Sequence, residues 1–269
     1  MLVSVCIPTY NGERFIVETL NSVLSQSHPH LDVVISDHGS SDSTLELVNA
    51  IGDERVRVVH MPRGRSIAEN WNNAVAAGVA SFVKVMGQDD VLYPDAIRSE
   101  LSAISACESE VAFCFSDRDV IDPNGRTVFR PSRPFGNPRK LRSTDLLRSV
   151  VLSGANPIGE PVAVMFRKEA WQSIGGFRGE YVIDLDFYAR LLTQYQGFWT
   201  GIRVGAFRVH ADSWGSNLMA RQFKIISLFG RLHRQQPSTI RRRDLVIGAL
   251  RAVVRTPVRV IAQQVVGRR

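Results

Sequence analysis

Apolar residues recur along the first hundred positions in two alternating rhythms. Short runs biased to β-branched residues, at 2–7, 31–36, 55–60 and 82–86, read as buried strands. Between them Phe15, Ile16, Leu20, Val23 and Leu24, then Leu45, Val48 and Ile51, then the stretch 67–79, repeat at helical spacing. Asn11 is a candidate cap for the first helix, and Ser41 or Asp42 for the second. Four strand and helix alternations at short spacing predict an α/β chain whose mostly parallel central sheet carries helices on both faces. Further on, the pattern predicts a helix over 95–104, strands over 111–116 and 162–166, and a helix over 187–192. Residues 122–142, rich in proline and basic side chains, read as a long irregular loop or a flap over the site. Residues 223–269 read as helical, with breaks at Pro237 and Pro257.

The polar residues acquire meaning from this frame. Thr9, Asn11, Asp37, Asp89 and Asp90 each follow a predicted strand, and right-handed crossovers bring successive strand ends to one edge of a parallel sheet. Two adjacent acids after Gly87-Gln88 are costly to bury unpaired, which points to a metal and diphosphate site. The alternative is an acidic turn leading into the helix near Pro94.

Charge divides the chain. Twelve basic residues stand against the single acid Asp244 from Arg221 onward, a net +11, which leaves the first 220 residues at −4. Such asymmetry calls for a local explanation in the tail. Arg251, Arg255 and Arg259 recur every four residues beside Leu250, Val253 and Val254, a pattern suited to an anionic membrane surface. A helix packed on the body is the alternative. Nucleic acid is disfavoured, because the tail lacks interleaved aromatics and the body is acidic. Cys6, Cys107 and Cys114 show no metal-ligand spacing and fit thiols in a reducing compartment. No secretory leader is evident and no run reaches the roughly 20 apolar residues of a membrane span, so a cytoplasmic protein, peripheral at the inner membrane face, is expected.

Three stretches carry a resemblance: Val-Ser-Val-Cys-Ile-Pro-Thr-Tyr-Asn-Gly at 3–12, Val-Ile-Ser-Asp-His-Gly-Ser-Ser-Asp-Ser-Thr at 34–44, and 72–90. In order and spacing they resemble family 2 glycosyltransferases of the GT-A fold. The resemblance implies a nucleotide-sugar donor (UDP-, GDP- or dTDP-linked), with Pro8, Thr9, Tyr10, Asn11 and Asp37 around base and ribose and Arg63 or Arg65 as a further contact. It implies Mn2+ or Mg2+ on Asp90, with Asp89 facing the ribose or a metal-bound water. Gly87 departs from the family, which commonly has a first acid there. Downstream, Gly175-Gly176-Phe177 and the acids after it resemble the catalytic segment, which implies Asp184 as the base, with Asp186 as runner-up. Glu160 and Trp214 are implied acceptor contacts, His210 a metal ligand, and Arg208 an offset to phosphate charge.

The expectation is therefore an inverting transferase with a catalytic domain over 1–220, its donor half 1–117 and its acceptor half 118–220, and a basic helical extension over 221–269. Its acceptor would be a glycan or a lipid-linked sugar. Two rivals stand beside it. A nucleotidyltransferase would be expected to show a Gly-rich basic loop after the first strand, and a non-catalytic scaffold would tolerate the missing acid at Gly87.

Overall fold

The structure is a computed structural model that describes residues 1–131, 135–210 and 218–267, with the side chains of 218–222 and 255–267 outside that description. Four parallel strands form the first half: β1 (Val3–Thr9), β2 (Leu31–Asp37), β3 (Val56–His60) and β4 (Phe82–Val85), in the order β3-β2-β1-β4. The sheet continues through β9 (Val164–Arg167), β6 (Val111–Ile121), β10 (Gln196–Arg208) and β5 (Val91–Leu92). Of these, β9 runs antiparallel to both β4 and β6, while β10 and β6 are parallel.

Strand alternation distributes the apolar side chains. Val3, Val5, Ile7, Val33 and Ile35 meet α1 (Ile16–Leu24) and α4 (Ala96–Ser105) on one face. Cys6, Val34, Val83 and Val85 meet α3 (Ile67–Ala77), α5 (Ser143–Ser153) and α7 (Ile183–Leu191) on the other. Two covered faces explain why the strands read as continuous apolar runs.

Several sequence expectations need correction. Asn11 does not cap α1: the cap position is Phe15, without a side-chain bond, and Asn11 instead adopts a left-handed backbone with φ 47°. Neither Ser41 nor Asp42 caps α2 (Thr44–Ala50): the cap position is Ser43, without a side-chain bond, while Asp42, one residue earlier, accepts from the Thr44 N–H at 3.1 Å. The irregular loop contains two short strands, β7 (Thr127–Phe129) on β6 and β8 (Arg139–Leu141) on β10. The helical break at Pro237 is present, between α8 (Leu218–Gln235) and α9 (Arg242–Gly267), but α9 runs through Pro257. One proline removes a single backbone bond, which a long helix with intact turns on either side can carry.

The basic extension is bound into the body. Ile225, Leu228, Phe229, Leu232 and Ile240 share the core that holds α5 and α7. On α9 the buried positions among the described side chains are Asp244, Gly248 and Ala252, spaced by four. A Cβ at Gly248 would collide with the Val151 carbonyl, so glycine lets α9 lie directly on α5. Asp244, the tail's lone acid, pairs with Arg148 through two 3.0 Å bonds and accepts the Arg241 N–H.

A pH dependence follows. The Arg148 hydrogen bonds hold the Asp244 carboxyl below the usual carboxylate range. A depressed folded value means the contact stabilises above the unfolded pKa of about 3.9 and is lost as pH falls through the folded value. Hydrogen-exchange protection of α9 is therefore expected to be flat from neutral pH to about 4 and to decline below it. Asp244→Asn is expected to lower that protection at neutral pH and to remove the acid step.

Candidate active site

The strand register brings the predicted rim together. Thr9 and Asp37 are paired neighbours at the ends of β1 and β2, and the Met86 N–H donates to the Cys6 carbonyl just past β4. At this edge lies a cleft of about 440 Å³ whose walls include Pro8, Thr9, Tyr10, Asn11, Asp89 and His210, together with His38, Ile67 and Trp71. That volume is in the range of small-molecule sites.

Loop-to-loop bonds hold the cleft open. Asn11 donates from its backbone to Ser40 Oγ at 2.9 Å and accepts the Ser41 N–H on its carboxamide at 2.9 Å. Asp37 is buried and turned to its own loop, accepting from the Gly39 and Ser40 N–H groups and from Ser40 Oγ. Gln88 braces the other side: its carboxamide accepts the Tyr10 N–H at 2.8 Å and donates to the Tyr10 carbonyl at 3.0 Å. The ends of β1, β2 and β4 thus form one rigid frame. Arg65 lies outside it, exposed and paired with Glu69, while Arg63 lies over the Gly39 carbonyl.

The two acids point different ways. Asp89 lines the cleft and its carboxylate lies 2.9 Å from His210 Nε2. Asp90 is 2% exposed and accepts N–H bonds from Arg208 at 3.1 Å and Gly87 at 3.3 Å. Burial, then the adjacent Asp89 charge, raises the Asp90 carboxyl well above the usual carboxylate range. Asp90 anchors the turn from behind, and Asp89 presents its front.

Arg208 has a different role from the one its motif implied. It is fully buried, donates to the Asp89, Asp122 and Pro123 carbonyls, pairs with Glu18 at 2.7 Å and lies 4.6 Å over the Phe15 ring. Its guanidinium holds the acidic turn against α1 rather than facing the cleft. The odd residue of the motif is also explained. A Cβ on Gly87 would stand 2.6 Å from Asp89 Oδ1 and 3.0 Å from Asp90 Oδ2, so the conformation of both carboxylates requires glycine. Gly87→Ala is expected to displace Asp89 from His210 and to weaken nucleoside diphosphate binding about tenfold by calorimetry, with the fold retained.

Across the sheet, α7 carries the other acids. Asp184 sits in its first turn, 9% exposed, and accepts a 2.8 Å bond from Asn156 Nδ2. The Asn156 Oδ1 takes the Ile158 and Gly159 N–H groups, which fixes the amide so that its NH2 faces Asp184. Asp186 is spent on structure, bridging Arg190 at 2.8 Å and Arg231 of α8. Val182, just before Asp184, has φ 51°, costly for a β-branched residue. Among the described residues it and Asn11 are the non-glycine positions with positive φ; Asn11 lines the cleft and Val182 is the N-terminal cap position of α7. Trp71, in the cleft wall, packs edge-on against Phe177 at 5.2 Å and so links the cleft to the segment leading into α7. Glu160 is paired with Arg118, and Trp214 lies outside the described residues.

A divalent cation is implied by the sequence resemblance. Among the described residues no three His, Cys, Asp or Glu side chains converge on a metal position. Asp89 and His210 nevertheless offer one oxygen and one nitrogen side by side at the cleft. That set fits Mn2+ or Mg2+ where substrate phosphates complete the shell.

A glycosyl transferase family 2 profile matches residues 4–175, more than half of the chain. The chain belongs to glycosyl transferase family 2. Among relatives of this family 2 chain, an uncharacterized Mycobacterium tuberculosis protein is 32% identical over 202 residues, covering 71% of this chain and 62% of its own length. Pasteurella multocida chondroitin synthase is 32% identical over 194 residues, 71% of this chain and 19% of that protein. The family 2 chain thus spans under two thirds of the length of these relatives. Solved structures share its fold, among them two nucleotide-sugar complexes. Staphylococcus aureus TarS 1-349, in complex with UDP-GlcNAc, superposes with TM-score 0.69 at 18% identity over 87% of this chain and 67% of its own. The mannosyltransferase PcManGT of Pyrobaculum calidifontis, in complex with GDP-Man and Mn2+, gives 0.65 at 19% identity over 98% and 73%. These establish the GT-A architecture for the family 2 chain, a mixed and mostly parallel sheet with helices on both faces.

Among residues the sequence reading left without a role, Gln88, Asn156 and Trp71 stand out. Their function depends on partners 78, 28 and 106 positions away, and no local pattern signals such pairing.

Proposed function

We propose that this chain transfers a sugar from a nucleotide diphosphate donor to a hydroxyl of a glycan or lipid-linked acceptor, with inversion at the anomeric carbon. The observation that carries the reading is the cleft at the ends of β1 and β4, walled by Pro8 to Asn11 and closed by the Asp89–His210 pair. Residues 1–117 form the donor half and 118–220 the acceptor half.

In this reading Tyr10, His38 and Trp71 provide flat surface for the base and ribose, and the rigid Asn11–Ser40 and Gln88–Tyr10 braces orient the donor. Asp89 and His210 hold the divalent cation, with Asp90 behind them as the anchor; this reverses the order of the two acids expected from sequence. When bound, Mn2+ or Mg2+ stabilises the charge on the departing diphosphate. Asp184 removes the proton of the acceptor hydroxyl as its oxygen attacks the anomeric carbon and the bond to the diphosphate breaks. Asn156 keeps that carboxylate oriented. One base acting opposite the leaving group gives inversion, and the transition state has oxocarbenium character by analogy with glycosidases. The UDP-GlcNAc and GDP-Man complexes of the structural neighbours, and chondroitin synthase among the relatives, support a nucleotide-sugar donor and a glycan acceptor.

The test is a panel of UDP-, GDP- and dTDP-sugars incubated with purified protein and Mn2+, read by release of nucleoside diphosphate and by the anomeric configuration of the product. Turnover of one donor class with inverted product supports the reading. Retention of configuration, or turnover of nucleoside triphosphates with pyrophosphate release, overturns it in favour of a retaining enzyme or a nucleotidyltransferase.

A further inference from the structure

Over residues 242–254 the outer face of α9 is apolar and uncovered. Val246, Ile247, Leu250, Val253 and Val254 are between 38 and 70% exposed, and at 100° per residue they occupy roughly a third of the helix circumference. This row lies opposite the buried positions Asp244, Gly248 and Ala252, so the docking of α9 on α5 is what turns it outward. Exposed arginines border it. Arg242 and Arg243 precede Val246 and Ile247 by four residues, and Arg251 follows Ile247 by four. No acid occurs after Asp244, and Asp244 itself is consumed by Arg148.

We infer that this face of α9 docks the protein in the plane of an anionic lipid bilayer. Three observations choose that occupant. An apolar row edged by arginine matches the interface between acyl chains and anionic headgroups, where such a helix sinks by about 5–10 Å. A second copy of the chain would bring two stretches of net charge +11 face to face, which repels, whereas an anionic surface attracts them. Among the described residues no helix is long and apolar enough to span a membrane, which leaves α9 to lie on a surface. The sequence already places Leu250, Val253 and Val254 beside arginines; the packing of Gly248 on Val151 adds which side of the helix faces out and brings in Val246 and Ile247. The inference stands apart from the donor site and survives or fails independently of it.

The test is flotation of the full chain with vesicles of phosphatidylcholine alone or with about a third phosphatidylglycerol, at low and high salt. Binding to the anionic vesicles is expected to exceed that to neutral ones by at least about tenfold and to collapse at high salt. Arg242→Gln and Arg243→Gln are each expected to weaken it by about fivefold. Leu250→Glu with Val253→Glu is expected to abolish it with the melting temperature unchanged, since both side chains are exposed. Equal binding to neutral and anionic vesicles, or full binding by the double variant, overturns the inference. So does a concentration-dependent dimer of the parent chain that the double variant dissolves.

Discussion

Asp184→Asn is expected to lower kcat by about 10²- to 10⁴-fold while leaving nucleoside diphosphate affinity within about twofold. The substitution keeps the shape of the side chain and its place beside Asn156 but removes the group that accepts a proton. Asn156→Ala is expected to give a smaller loss in kcat, because the carboxylate remains and only its orientation is released. Asp186→Asn separates chemistry from architecture. Its carboxylate bridges Arg190 and Arg231, so its expected effect is a lower melting temperature with kcat per folded molecule nearly unchanged. If Asp184→Asn kept most of its activity and Asp186→Asn lost it, the base would be Asp186.

The second large effect lies away from the site. Lys84, in the middle of β4, and Glu100, on α4, are fully buried and paired at 2.5 Å, and Ser116 donates to the other Glu100 oxygen at 3.1 Å. Burial raises the Glu100 carboxyl above its usual range despite the partner. Lys84→Met leaves the carboxylate without its counter-charge, a loss of about 3–5 kcal/mol in comparable pairs. At about 2–4 °C per kcal/mol for a domain of this size, the melting temperature is expected to fall by roughly 10 °C. Lys84→Met combined with Glu100→Leu removes both charges and is expected to recover most of the loss, since well-packed apolar replacements of buried pairs are often neutral. A double variant as unstable as the single one would show that shape, not charge, sets the requirement. The pair also secures β4, whose far end carries the acidic turn, so the single variant is expected to lose donor affinity as it loses stability.

Much of the donor half was legible because its physics is local. Alternating apolar runs fix strands, short crossovers fix a parallel order, and a parallel order places every strand end at one edge; Thr9, Asp37 and Asp89 follow directly from that. Several of the less legible features share a cause, which is that a deciding partner lies far along the chain. Lys84 passed as part of an apolar run because Glu100 sits on the next helix. Arg208 looked like a phosphate ligand because its motif does not reveal that Glu18, Phe15 and the Asp122 carbonyl surround it. Asp89 and Asp90 are adjacent and chemically identical, and the order proposed above, with Asp89 toward the cation, rests on the Arg208 and Gly87 N–H groups that bond Asp90. Gly87 itself appeared to be a deficit; it is the residue that allows both carboxylates their conformations. In the acceptor half, proline and arginine density concealed β7 and β8, since edge strands of three residues leave almost no periodic signal.

The most direct measurement is calorimetric titration of UDP, GDP and dTDP into the full chain, with and without Mn2+, repeated on Asp89→Asn. Binding of one nucleotide that strengthens at least about tenfold with Mn2+, and a metal enhancement that disappears in Asp89→Asn, is the expected result. Binding of none of the three, or a metal enhancement that persists in Asp89→Asn and is lost in Asp90→Asn with its fold intact, would contradict the site proposed at the ends of β1 and β4.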